Sequence, residues 1–235
     1  MLSEHLAARW PAVVVELDHR NAYELLVATM LAAQSTDKLI NKVSPALFEK
    51  YPDPATLAQA IPGELEKMIF NTGYYRNKAA ALIHMATKVV TEHGGEIPRT
   101  MAGLCSLPGV GRKTANVVLG NAMGIASGIV VDTHISRVAP RLGLTVQHDP
   151  VKIETELMAL VPEDQWIAWG NRMIHHGRYI CVAKKPLCDE CPLTPLCPSA
   201  FADVMPAKPK PMPRAKAVAK PAKPAKPKPR KRVTP

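Results

Sequence analysis

The stretch Leu107-Pro108-Gly109-Val110-Gly111-Arg112-Lys113-Thr114-Ala115 sets a lysine just behind two closely spaced glycines, at the head of a helical pattern. Glycine reaches backbone angles closed to other residues and lets a charged ligand approach the main chain. Amides freed by such a turn, at the start of the helix that Arg112 to Gly120 suggests, point outward with partial positive charge and suit a phosphate oxygen. Pro-Gly-x-Gly before basic residues is also an ordinary tight turn into a helix. The run therefore offers a phosphate-gripping turn and an amine whose purpose the rest of the chain has to supply.

Outward from the hairpin, the sequence is helical. Leu82, Met85, Ala86 and Val89 share one helical face, as do Ile135, Val138, Ala139 and Leu142. Similar patterns run from Tyr23 to Ala33, Thr36 to Tyr51 and Ile153 to Val161, with breaks at Pro52, Pro62, Gly94-Gly95 and Pro98. Gly128 to Val131 is a short apolar run without the alternation and hairpin turns of a sheet. The expected fold class is all-α, with many short helices.

The chain of 235 residues has a formal charge of +10, unevenly spread. Residues 206 to 235 hold eleven Lys or Arg and no acid, so residues 1 to 205 keep 19 bases against 20 acids. Nine of the 23 prolines also lie in that tail, in repeats such as Ala-Lys-Pro-Ala-Lys-Pro, which cannot bury a core. The tail reads as a disordered, basic tether to polyanions. No run approaches the ~18 apolar residues of a membrane helix, and Met1-Leu2-Ser3-Glu4-His5 lacks the pattern of a signal peptide. A soluble, intracellular protein is expected, cytoplasmic and nucleoid-associated in a bacterium.

Cys181, Cys188, Cys191 and Cys197 are separated by six, two and five residues, among Pro186, Pro192, Pro195 and Pro198. Four thiolates in so short a segment suit a metal centre, either Zn²⁺ or an iron–sulfur cluster, and spacing alone does not choose between them. Disulfides are the poorer reading in a chain without an export signal. Lys184 and Lys185, inside the first gap, are candidate phosphate contacts on a loop that the metal would stiffen. Cys105 stands apart and reads as a small buried side chain.

Taken together, the Leu-Pro-Gly-Val-Gly-Arg-Lys-Thr-Ala run, Val131-Asp132-Thr133-His134, and His176-Gly177-Arg178 leading into the four cysteines resemble the endonuclease III family. These are helix-hairpin-helix DNA glycosylases with a [4Fe–4S] cluster, and the resemblance spans nearly all of residues 1 to 205. It implies a monomer that binds double-stranded DNA with damaged bases or abasic sites and removes oxidised pyrimidines. It also implies a cluster held by the four cysteines, and a cleft between two helical domains. One is a six-helix domain, residues 15 to 126, ending with the hairpin. The other combines residues 1 to 14 with 127 to 205.

By the same resemblance, Lys113 attacks the sugar C1′, expels the base and forms an imine that acidifies the C2′ protons for β-elimination. A neutral amine is needed, which calls for burial or for neighbouring cations such as Arg112. Asp132 matches the second catalytic residue and would also cap the helix Thr133 to Leu142, keeping its carboxylate ionised. Gln34 would fill the gap left by the flipped nucleotide, and Tyr74 stands where bacterial members carry an aliphatic wedge. A buried core tyrosine is an equally good reading of Tyr74. DNA contacts are implied for the hairpin residues Leu107, Gly109, Val110, Gly111 and Arg112. His134 is read as a helix-start histidine with local hydrogen bonds, and the adjacent His175 and His176 as facing different ways. The rival readings are a pyrimidine-dimer or mismatch-specific glycosylase of the same fold, and a DNA-binding module without catalysis.

Overall fold

Asn21, Thr36, Asp53, Thr100 and Asp149 each accept a backbone N–H with their side chain at the start of a helix, and these caps punctuate the chain. The computed structural model describes residues 1–202; the expectations for the basic tail therefore lie outside the described residues. Eleven α-helices result among the described residues: α1 Leu2–Arg9, α2 Ala22–Ala32, α3 Asp37–Lys50, α4 Pro54–Ala58, α5 Pro62–Met68, α6 Tyr75–His93, α7 Met101–Cys105, α8 Arg112–Met123, α9 Ile135–Arg141, α10 Pro150–Leu160 and α11 Trp166–Tyr179. No strand occurs among those residues, as the sequence pattern indicates. None of these helices is long and apolar enough to cross a membrane.

The described residues form one compact body containing two hydrophobic cores. Helix α2 is the axis of the first. Tyr23, Leu25, Leu26, Val27, Ala28, Met30 and Leu31 are all buried, so it is apolar on nearly every side and packs against α3, α6 and α8. Helix α6 ends where Gly94 turns left-handed (φ 61°), and the Gly95 amide returns to the Val89 carbonyl at 3.0 Å. The second core is built by α9, α10 and α11, joined by Leu6 of α1 and Leu193 of the cysteine segment. The apolar run after Gly128 is the passage from one core to the other, with Ile129 and Val131 buried in the second.

Two boundaries differ from the sequence reading. Helix α10 starts at Pro150, three residues before the apolar pattern, because Asp149 takes the amides of Val151 and Lys152. Helix α9 starts at Ile135 instead of Thr133, since residues 133 and 134 form the turn that Asp132 caps. Cys105 is exposed, not buried; it ends α7 with its thiol 3.6 Å from the Met101 sulfur.

Candidate active site at the hairpin cleft

A cavity of about 400 Å³ opens between the two cores, and Lys113, Asp132 and Gln34 all line it. Helix α8 delivers Lys113 from the first core. Gly109 turns left-handed (φ 77°) just before it, and a Cβ there would meet the Met30 methyl at 3.1 Å and the Ala81 Cβ at 3.3 Å. Glycine is therefore favoured by the backbone conformation, and the tight surroundings leave little room for a larger residue. Gly111 then occupies the N-cap of α8 in open surroundings, with φ −98°.

Asp132 comes from the second core. Its Oδ1 accepts the amides of His134 at 2.8 Å and Ile135 at 2.9 Å, which fixes the carboxylate at the head of α9. His134 makes local contacts, its Nδ1 lying 3.2 Å from the Arg137 guanidinium. The approach of α11 holds α9 in place: a Cβ on Gly177 would fall 2.8 Å from the His134 Cβ and 3.1 Å from Val138. His175 and His176 do diverge. His175 lines the cavity, whereas His176 is buried with Nε2 3.6 Å from the Cys191 sulfur, and burial pushes its pKa down to about 4.

Three charged residues that sequence reading did not single out share the cavity wall. Arg178 of α11 pairs with Glu16 and, at 2.8 Å, with Asp37 of α3. Tyr179 also donates to Glu16, at 2.8 Å. Arg178 belongs to the His-Gly-Arg motif and Asp37 lies three residues after Gln34, so both stood within reach; Glu16 sits in no motif.

The expected cation beside Lys113 is differently engaged. Arg112 donates Nε to Glu154 Oε2 at 2.8 Å and its terminal nitrogen to Oε1 at 2.9 Å, a bidentate pair that compensates its charge. Glu154 is buried on α10 and also accepts from Asn116 at 2.8 Å, and Asn116 in turn accepts from Ser127. Lys113 itself is exposed at the start of α8.

The remaining sequence candidates divide by exposure. Leu107 and Val110 are core residues, 2% and 6% exposed, so only their main chain is available to DNA. Tyr74 is 66% exposed and left-handed (φ 49°), which excludes the buried-core reading; it precedes α6 outside the cavity lining. Gln34 is likewise exposed with φ 56°, between α2 and α3. Such angles are costly for non-glycine residues and concentrate at functional positions. Lys184 and Lys185 are exposed on the cysteine segment, away from the cavity.

Cys181, Cys191 and Cys197 pack against the second core, and Cys188 opens a 3-10 turn, Cys188–Glu190. Arg141 donates to the Cys181 sulfur at 3.4 Å and to the Val182 carbonyl at 2.9 Å. Burial first, and then the charge of neighbouring thiolates, pushes the Cys191 and Cys197 thiols up; a bound cationic centre offsets that cost. Among the described residues no three His, Cys, Asp or Glu side chains converge on a single metal ion. A four-iron cluster is larger than one ion and takes one thiolate at each iron, so four soft donors beside a guanidinium fit it.

A helical cleft lined by a hairpin lysine and a capped aspartate, in a chain that also carries a four-cysteine segment, is consistent with a DNA glycosylase of the helix-hairpin-helix class. The family model of HhH-GPD superfamily base excision DNA repair proteins matches residues 27–163, and that of the iron-sulfur binding domain of endonuclease III matches residues 181–197. A protein from Synechocystis sp. named endonuclease III is 50% identical over 193 residues, covering 82% of this chain and 88% of its own. Among solved structures, a non-covalent endonuclease III–DNA complex superposes with a TM-score of 0.80 at 43% identity, over 84% of this chain and 92% of that one. A trapped endonuclease III–DNA covalent intermediate matches with the same values. The chain belongs to the endonuclease III family, the [4Fe–4S] DNA glycosylase/AP lyases of base excision repair.

Proposed function

We propose that Lys113 and Asp132 carry out base removal and strand cleavage on DNA held across the cleft, with oxidised pyrimidines as the substrate class. The observation that carries this reading is the presence of both side chains on one cavity, each supplied by a different core. The Lys113 amine adds to C1′ as the glycosidic bond breaks, and the electron pair leaves with the base. The sugar ring then opens, the C1′–O4′ bond breaking with its electron pair going to O4′, which takes up a proton, while the nitrogen forms the imine. The imine acidifies C2′–H, and β-elimination breaks the C3′–O bond, so that the phosphate leaves as the 5′ end of the downstream strand. Asp132, held by two amides, stabilises positive charge developing on the sugar.

The same reading assigns the Gly109 and Gly111 main chain, with that of Leu107, Val110 and Arg112, to the phosphate backbone. Gln34 takes the space of the flipped nucleotide and Tyr74 wedges the stack. Lys184 and Lys185 add phosphate contacts. The two cores are taken as the two domains, residues 15 to 126 and residues 1 to 14 with 127 to 205, in a monomeric protein acting in the cytoplasm. Cys181, Cys188, Cys191 and Cys197 would hold the cluster, which when bound supplies the cross-links that serve this irregular segment as a core. The decisive experiment is borohydride trapping on a duplex with one abasic site. The wild-type protein should give a covalent adduct that Lys113→Ala abolishes; an adduct that persists in Lys113→Ala would transfer the role to another amine.

A further inference from the structure

Lys78 is buried on α6, yet the partners of its ammonium are two neutral carbonyls: Leu31 at 2.8 Å and Thr72 at 2.6 Å. Burial alone lowers its pKa. An aliphatic side chain would fill the same space without the cost of desolvating a charge, so the site pays for something other than packing. The two carbonyls indicate what that is. Leu31 lies in the last turn of α2, where the helix presents unpaired carbonyls and a negative dipole end that a cation satisfies. Thr72 closes the 3-10 turn Phe70–Thr72 that leads into α6.

Each carbonyl stands two or three positions before an exposed, left-handed, non-glycine residue. Gln34 follows Leu31 by three positions with φ 56°; Tyr74 follows Thr72 through Gly73 (φ 72°) with φ 49°. One buried ammonium thus bolts together the two turns whose tips carry Gln34 and Tyr74. We propose that Lys78 is a positioning residue that sets the spacing between Gln34 and Tyr74, so that the two enter the duplex as one unit around the estranged base. This inference rests on the assignment of Gln34 and Tyr74 to DNA made above. The two anchoring bonds to Lys78 span 47 and 6 residues of sequence, so they join turns far apart and near in the chain. Displacing such a pair by an ångström is enough to cost an order of magnitude or more in rate.

The test uses the full chain with its cluster, at saturating enzyme, on duplexes with an abasic site opposite each of the four bases. Borohydride-trapping rates give a spread between the fastest and slowest opposing base, and 2-aminopurine in the opposing strand reports how far the orphan base is unstacked. Lys78→Met should narrow that spread roughly threefold or more and lower the 2-aminopurine signal, shifting both toward the values of Gln34→Ala and Tyr74→Ala. A residue that served only stability would lower the melting temperature and the active fraction but leave the spread unchanged. Should Lys78→Met not fold, Lys78→Gln is read in the same way, since its shorter neutral amide cannot span both carbonyls. A wild-type spread in the Lys78 variant, alongside an altered one in Gln34→Ala or Tyr74→Ala, overturns the brace alone. If Gln34→Ala and Tyr74→Ala both keep the wild-type spread, the DNA assignment falls and the inference with it.

Discussion

Asp132 divides its labour within a single carboxylate, with Oδ1 receiving both amides at the head of α9. An asparagine keeps a carbonyl oxygen for those amides, and the cap then turns its NH₂ to the side where the second carboxylate oxygen had been. Asp132→Asn should therefore melt within a few degrees of wild type while base release under single turnover drops by roughly 10² or more, the scale of losing one aimed electrostatic group. Near-normal release on a damaged duplex would remove Asp132 from the mechanism. Residues of this kind were legible because each lies in a short local motif: a lysine behind its hairpin, an aspartate before its helix, cysteines at close spacing. The partners of Arg112 and Arg178 were not. Glu154 and Glu16 stand 42 and 162 residues away from them, and no periodic pattern in the chain connects such positions. Exposure was equally hidden: the side chains of Leu107 and Val110 are core, which leaves only their main chain for DNA, and Cys105, read as core, is exposed.

At the scale of elements, helices were easier to read than the joins between them. The apolar face of α6 and the axis α2 follow from periodicity, but the junction of α8 with α10 depends on polar groups brought together by the fold. There Glu154 reaches back to Arg112 and Asn116 across the chain at Gly128, where a Cβ would lie 2.1 Å from Glu154 Oε1. Gly128→Ala must displace that carboxylate and at least one of its bonds, so a loss of about 1–3 kcal/mol is expected. For a chain of this size that is a fall of roughly 2–4 °C in Tm for each kcal/mol, measurable by thermal melting. A Tm equal to wild type would mean that Glu154 does not hold this junction. The sequence reading saw only a short apolar run after Gly128, because the glycine's reason for being there lies on α10.

For the whole molecule, charge and shape are separable. Residues 1 to 205 are close to neutral, and the excess of +10 resides in the basic tail. Removing residues 206 to 235 should weaken duplex binding and flatten its dependence on salt, while the single-turnover rate at saturating enzyme stays within about twofold, because counterion release governs affinity and not the chemical step. An unaltered salt slope would show that the tail does not engage DNA. Within the body, the carboxylate at the cleft depends on how closely α11 packs on the turn that Asp132 caps. The hydrogen atom that serves Gly177 as a side chain lets α11 lie against His134, and through that helix it sets where Asp132 stands. For inheritance the consequence is that alleles without repair can arise at a position that never meets DNA. A catalogue of variants that scored only side chains able to touch the lesion would pass over Gly177.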